Sequence, residues 1–214
     1  MAKQKWKPGN MLYPLPAVMV SVRDKEGNDN IITVAWAGTV CTNPPMVSIS
    51  VRPERHSYHM LEESQAFVIN LTTEELCYAT DFCGVRSGKN LDKFVEMKLT
   101  KVEASEINAP MIGEAPVNIE CKVRKIEKLG SHHMFIADVV AVHAEEKYMD
   151  EKGRFDLNRS NPMVYSHGEY FGLGEKLGTF GYSVKKKNKS QQEKEVKGNQ
   201  KKTSAKKEVN KKQK

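Results

Sequence analysis

Several things are missing from this chain of 214 residues, and each absence closes off a class of function. Its four cysteines, Cys41, Cys77, Cys83 and Cys121, form no C-x-x-C pair, and its six histidines are scattered, so a zinc site built on local ligand spacing has no basis. No G-x-G-x-x-G follows a strand-like segment, which removes support for a Rossmann dinucleotide site. No apolar run reaches the length of a membrane span. The stretch Met11–Val22 follows Lys3, Lys5 and Lys7, the order of charge and apolar run found in a secretory signal. However, it is broken by Pro14 and Pro16, ends in the turn sequence RDKEGN and offers no small-residue cleavage site. It therefore reads as a first strand, and four thiols without a signal fit a reducing cytoplasm.

Basic charge is also missing from most of the molecule, although the whole chain carries +7. Residues 185–214 hold 13 Lys and 3 Glu; the preceding 184 residues keep 21 basic and 24 acidic side chains, a net of −3. Two valines and one alanine in that tail cannot bury enough apolar surface to offset ordering, so residues 185–214 are expected to be a disordered tail on a body of residues 1–184. Such a tail can grip nucleic acid non-specifically or simply keep the protein in solution. No nucleic-acid or membrane role is expected of the body.

The body alternates as strands do. Ala17–Val22, Ile31–Gly38, Met46–Val51 and Ala66–Leu71 read as strands. Val117, Ile119, Cys121 and Val123 face one way, and Asn118, Glu120, Lys122 and Arg124 the other, which predicts a long strand with one wet face. His132–Glu146 follows the turn Leu129–Ser131 as its hairpin partner. Short helices are expected at SYHMLEES with Ser57 as N-cap, at TTEELCYATDF with Thr72 or Thr73 as cap, and at NLDKFVEM. This mix points to a mainly β, antiparallel barrel decorated by a few short helices.

Three segments gather chemistry. Pro44 and Pro45 stiffen the entry to Met46–Val51, and at that strand's far end Arg52, Arg55 and Ser57 collect two permanent cations, a hydroxyl and a helix start. Either they hold a phosphate or the arginines pair with Glu54, Glu62 or Glu63 in an ordinary surface turn. CGVRSGKNLDKF adds Arg86, Lys89 and Lys93 around Gly84 and Gly88. In LGSHHMF, neighbouring His132 and His133 point to opposite faces, so only one can look into a cavity.

Taken in order, NIITVAWAGTVCTNPPMVSISVRPERHSYHML, FCGVRSGKNLDKF, APVNIECKV, GSHHMFIADVVAVHAE and HGEYFGLGEKLGTFGYSV resemble the flavin reductase-like family, its flavoredoxin branch in particular, over roughly residues 10–184. The resemblance implies a split β-barrel (Greek key) that binds flavin mononucleotide (FMN). It implies ring contacts at Thr33, Ala35, Trp36, Val40, Cys41 and Thr42, and ribityl and phosphate contacts at Ser50, Arg52, Arg55, His56, Ser57 and Tyr58. Further contacts fall at Ser87, Lys93 and Phe94, and His132 matches a histidine placed near the reacting ring. Here Ser131 and Ala137 stand where the family often has Asp and Gly. The implied activity is that of a cytoplasmic, homodimeric FMN oxidoreductase, reduced by NAD(P)H or another electron donor and passing electrons to an acceptor. The alternatives are a flavoredoxin-like electron carrier without its own catalysis and a nucleic-acid-associated protein acting through the tail.

Overall fold

Alternation of apolar and polar residues becomes sheet throughout the computed structural model, which describes residues 1–184; the Lys-rich segment expected to be disordered lies outside the described residues. The N-terminal half carries β1 (Leu15–Pro16), β2 (Val18–Arg23), β3 (Asp29–Val34), β4 (Ala37–Cys41), β5 (Met46–Val51), α1 (His56–Ser64), β6 (Ala66–Asn70), α2 (Cys77–Val85) and α3 (Lys93–Glu96). It is followed by β7 (Lys101–Glu103), β8 (Pro110–Ile112), β9 (Val117–Lys128), β10 (His133–Ala144), β11 (Met163–Ser166) and β12 (Glu169–Gly172). Met1–Leu173 form one compact unit, and Gly174 begins a second.

Seven antiparallel strands form the main sheet in the order β3-β2-β6-β9-β10-β5-β4. Its two edge strands, β3 and β4, are consecutive in the chain and separated only by Ala35 and Trp36. A flat sheet of this width cannot bring its edges within two residues of each other, so the sheet must curl round on itself. The result is a mainly β split barrel, open along the line where β3 and β4 part. The segment Ile31–Gly38, read as one strand, is therefore two. At the corner the Ala37 N–H donates to Ala35 O (3.0 Å) and the Ser50 N–H to Trp36 O (2.8 Å), which turns the chain from one edge to the other.

Inside the curl, Val18, Val20, Val22, Ile49, Val51, Phe67 and Phe135 make the main core, plugged by Tyr58, Met60 and Leu61 of α1. The outer face of β2 and β3 is covered as well. Met19 and Ile31 pack with Leu76, Ala79, Cys83, Phe94 and Leu99 from α2, α3 and the segment after it. That second layer explains why β2 is buried on both faces.

Strand β5 alternates as expected, with Val47, Ile49 and Val51 buried. The wet face expected of β9 is wet only in its second half. Asn118 and Glu120 are buried because β7, β8 and the loop between them fold over that end. Asn118 Nδ2 donates to Asn70 Oδ1 (2.7 Å) and Ile112 O (3.0 Å), and Glu120 takes the N–H groups of Ser105 and Glu106. The helix caps also differ from expectation. Arg55, not Ser57, holds the N-cap of α1, and Ser57 is buried within the helix's first turn. Thr73 caps a separate turn that precedes α2, while Thr72 Oγ1 donates to Ala17 O (2.5 Å). No helix among the described residues is long and apolar enough to cross a membrane.

Candidate functional site

The parting of β3 and β4 leaves a hollow of about 360 Å³. One wall is the corner itself, with Thr33, Val34, Ala35 and Trp36 facing the end of β5 at Ser50, Val51 and Arg52. The opposite wall is α2, through Asp81, Gly84 and Val85, fastened to β3 where Thr33 Oγ1 donates to Thr80 O (2.5 Å). His132 closes one side. Its imidazole lies parallel to the Trp36 indole, with 2° between planes and 6.0 Å between centroids. The hairpin β11–β12 closes the remaining side with Tyr165 and Tyr170. Flat groups therefore bound a hollow of the size a planar heterocycle needs.

A smaller hollow of about 80 Å³ continues from it, sharing Ile32, Arg55 and Gly84. Its lining is cationic on balance: Arg55, Arg86 and Lys93 supply three cations against the single carboxylate of Glu54, and Ser57 and Ser87 supply hydroxyls. The start of α1 opens onto it, and no side chain caps that helix, so the first-turn N–H groups at His56 and Ser57 face it unclaimed by a cap. Asn30 Nδ2 donates to Ser57 Oγ (2.7 Å), which leaves the Ser57 hydroxyl proton free to donate. Gly88 is needed here because a Cβ would stand 2.0 Å from Asn30 Oδ1, so any side chain would displace the asparagine that positions Ser57.

Charge in the smaller hollow is only partly balanced. Arg52 pairs with Glu54 (3.5 Å), as the surface-turn alternative had it. Among the described residues Arg55 has no ion-pair partner. Lys93 is only 3% exposed, and its Nζ donates to two backbone carbonyls, Ile31 O (2.6 Å) and Cys83 O (2.8 Å), with no carboxylate among them. Burial, reinforced by nearby Arg55 and opposed by Cys83, lowers its pKa to about 8. Burial and the Arg52 charge, opposed by Glu54, likewise push the His132 imidazole below its ordinary value, so the ring is neutral at pH 7. Its Nδ1 meets Ser131 Oγ at 3.0 Å. Nearby, burial pushes the Cys83 thiol up to about 11.

Of the residues expected at the site, Thr33, Ala35, Trp36, Ser50, Arg52, Arg55 and His132 line the larger hollow. Arg55, His56, Ser57, Ser87 and Lys93 line the smaller. Five others line neither. Cys41 and Thr42 lie at the far end of β4, because the corner falls at Ala35–Trp36 and β4 leads away from it. Tyr58 is buried in the barrel core against Phe135, with its hydroxyl 2.7 Å from His133 Nδ1. Phe94 is buried under α2 in the outer layer. Val40 lines a separate hollow of about 520 Å³ on the other side of Trp36, with Met11, Leu12 and Tyr13. Sequence reasoning left out Asn30, Asp81, Val85, Tyr165 and Tyr170. The aromatic HGEYF hairpin was the one visible signal for the last two, and nothing in its local pattern said where it would fold.

A ring-sized hollow leading into a cationic pocket fits a molecule that is flat at one end and phosphorylated at the other. Residues 11–174 match the family described as flavin reductase like domain. The flavoredoxin of Desulfovibrio vulgaris (Miyazaki F) is 30% identical and superposes with a TM-score of 0.80, covering 86% of this chain and 100% of its own. The flavoredoxin of Methanosarcina acetivorans is 25% identical with a TM-score of 0.78 over the same shares. An NADH:FMN oxidoreductase of Rhodococcus erythropolis is 25% identical over 160 residues, 74% of this chain and 76% of that protein.

Proposed function

The chain belongs to the flavin reductase-like family, and from that premise we propose that it binds FMN across the two hollows and works as an oxidoreductase. In this reading it is reduced by NAD(P)H or another electron donor and hands electrons to an acceptor. The observation that carries it is the continuity of the flat-walled hollow with the cationic one through Ile32, Arg55 and Gly84.

Each residue then has a physical task. Arg55, Lys93, the Ser57 hydroxyl and the first turn of α1 hold the phosphate. Ala35 and Trp36 seat the ring at the corner, and Ser50 and Arg52 border the linker between ring and phosphate. Bound FMN supplies the hydride- and electron-accepting chemistry, and the protein sets its position and surroundings. His132, held neutral, offers a hydrogen bond at the ring's edge without adding a charge. The N-terminal segment with Met11 and Leu12, both exposed, borders the hollow beside β4 together with exposed Val40. That apolar rim supports a homodimer as the working form, testable by light scattering on the purified protein.

Titration with FMN, followed by visible absorbance, tests the reading: one FMN per chain is expected, and a protein that leaves added FMN unperturbed refutes it. A second reading is favoured by the likeness to the Desulfovibrio flavoredoxin. In it the protein carries electrons between partners and turns over nothing alone. Steady-state oxidation of NAD(P)H with free flavin separates the two, since only the enzyme sustains it.

A further inference from the structure

Neighbouring His132 and His133 face opposite ways, as strand alternation requires. His133 turns toward α1, where its Nδ1 lies 2.7 Å from Tyr58 Oη, and His132 lines the larger hollow. The bond to buried Tyr58 and the pairing of His133 with Val51 of β5 pin the chain one residue beyond His132. On its other side stands an open turn, with Gly130 at φ 100° and Ser131 exposed. The imidazole of His132 is held at two points. One is the Trp36 indole, parallel to it within 2°. The other is Ser131 Oγ, 3.0 Å from Nδ1, which has no other hydrogen-bond partner among the described residues.

A hydroxyl and a neutral imidazole can bond in two ways. Either the hydroxyl donates to a bare Nδ1, or Nδ1–H donates to the hydroxyl oxygen. The first is the stronger bond, because an imidazole lone pair is a better base than a hydroxyl oxygen. It puts the ring proton on Nε2, the only ring nitrogen left for a guest, which then meets a donor. The second arrangement would show the guest a lone pair instead. Arg52, Arg55 and Asp81 share the hollow with His132, as do Tyr165 and Tyr170, and Glu54 stands in the turn between the two arginines. Glu54 pairs with Arg52 (3.5 Å), and Asp81 accepts from Tyr170 Oη (3.1 Å). Among the described residues no carboxylate is bonded to the imidazole, so nothing there favours a second ring proton. Burial and the Arg52 charge, opposed by Glu54, lower its pKa in keeping with that.

We propose that Ser131 is the positioning residue for His132: its hydroxyl occupies Nδ1 and so fixes one neutral tautomer, Nε2–H, at the edge of the ring site. The consequence rests on the flavin reading. A donor without a charge favours the electron-rich, reduced ring through one hydrogen bond, and a lone pair in its place would oppose it.

Long-range 1H–15N NMR of the protein without FMN, above the range in which histidine titrates, reads the tautomer, because protonated and bare ring nitrogens resonate far apart. The signals lost in His132→Gln identify the ring. Nε2–H alone is expected in the parent protein and in Ser131→Thr, which keeps the hydroxyl. Ser131 is exposed, so Ser131→Ala should fold normally and show both tautomers. Ser131→Asp places a carboxylate beside Nδ1, which should draw the proton there and raise the pH at which the ring titrates by about one unit. A proton on Nδ1 in the parent, or an unchanged tautomer in Ser131→Ala, overturns the proposal while FMN binding stands. With FMN loaded, Ser131→Ala should lower the preference for reduced over oxidised FMN by about fivefold, the scale of one neutral hydrogen bond, and Ser131→Thr should restore it. An unchanged preference overturns the assigned consequence. A chain that takes up no FMN overturns the functional reading, and the tautomer is still decided by the spectrum of the protein without FMN.

Discussion

Among the described residues Glu120 and Lys93 are the charged residues that are buried whole, and their surroundings are opposite. Glu120 is fully buried on β9, yet its carboxylate accepts the Ser105 N–H (2.7 Å), the Glu106 N–H (2.7 Å) and the Ser105 hydroxyl (2.8 Å), and Oε1 lies 2.6 Å from His143 Nε2. Burial alone would raise its pKa. The two N–H groups, then His143 and the Ser105 hydroxyl, outweigh that and hold it at about 2. Lys93 is nearly as buried but has only two carbonyls, and its pKa falls to about 8, toward losing the charge. A charge that serves the fold is satisfied by the fold. One left short of partners beside a cationic hollow is suited to an anionic guest.

The largest expected effect tests the first half of this contrast. Glu120→Ala takes away the acceptor of the Ser105 and Glu106 N–H groups, leaves a hole in a fully buried position and frees the loop between β7 and β8. It should destabilise the protein by about 3 kcal/mol or more in denaturant unfolding. The FMN affinity of the molecules that remain folded should stay within about twofold, since Glu120 lines neither hollow. Carboxylate linkage has a definite sign here. Stability from Glu120 is present in full above its ordinary value and is lost as pH falls from there toward 2.

Lys93→Met should do the reverse. Replacing a buried, under-partnered ammonium by an apolar chain of similar length is expected to leave the apoprotein as stable as before, or more so. FMN affinity should drop by about 2–3 kcal/mol, the scale of a charge-assisted hydrogen bond, as it also should in Arg55→Ala. Riboflavin, which lacks the phosphate, should bind each variant as it binds the parent protein. Paired calorimetric titrations with the two ligands decide it, and equal losses for both would place these residues in the fold's service instead.

Which parts of this were legible beforehand follows from what pattern can encode. Strand β5 and the β9–β10 hairpin were readable, because alternation reports a face and a turn reports a reversal. The corner at Ala35–Trp36 was not: it contains neither Gly nor Pro and lies inside an unbroken apolar run, so two strands looked like one. Asn118 and Glu120 read as a wet face because polarity alone does not distinguish solvent from a covering loop. The cationic cluster was legible since Arg52, Arg55 and Ser57 are neighbours in sequence, and Lys93 came with the family resemblance. Asp81, Tyr165 and Tyr170 are brought together only by the packing of a late hairpin on α2, and no local signal carries that.

Proton linkage at Lys93 gives a smaller and more selective effect. Its pKa of about 8 lies below the usual lysine value. In the apoprotein the cost of burying the charge is therefore present below about pH 8 and relieved as pH rises from there toward 10.5. A bound phosphate restores the preference for the charged form, so FMN binding should take up a proton in that window. FMN affinity should fall with a slope approaching tenfold per pH unit above about pH 8, and riboflavin affinity should stay flat. The titratable and charged groups that share the hollow with Lys93 are Cys83 of α2, Arg86 just after it, Glu54 and Arg55 just before α1, and His56 at its start. Arginine does not titrate in this window, and the Cys83 thiol, at about 11, titrates above it. A slope that survives in Lys93→Met would assign the linkage to another group.

The smallest expected effect concerns the thiols. Cys83 borders the phosphate hollow but is buried, and burial outweighs the neighbouring Lys93 charge in setting its pKa. Thiol reactivity follows the thiolate fraction, so at pH 7.5 Cys83 should resist alkylation in the folded protein. Cys41 is half-buried at the end of β4 and lines neither hollow. It lies five residues beyond the Trp36 corner, and it has no second cysteine within reach to form a disulfide among the described residues. Its reading as a small packing residue predicts that Cys41→Ala shifts FMN affinity by less than about 0.5 kcal/mol and leaves any turnover within tenfold, under about 1.4 kcal/mol of barrier. Iodoacetamide labelling followed by mass mapping, with bound FMN monitored by absorbance, checks both thiols in one experiment. Stoichiometric modification of Cys41 that abolishes electron transfer while FMN stays bound would show that β4 reaches the reacting ring after all, and the corner at Ala35–Trp36 would no longer mark the edge of the site.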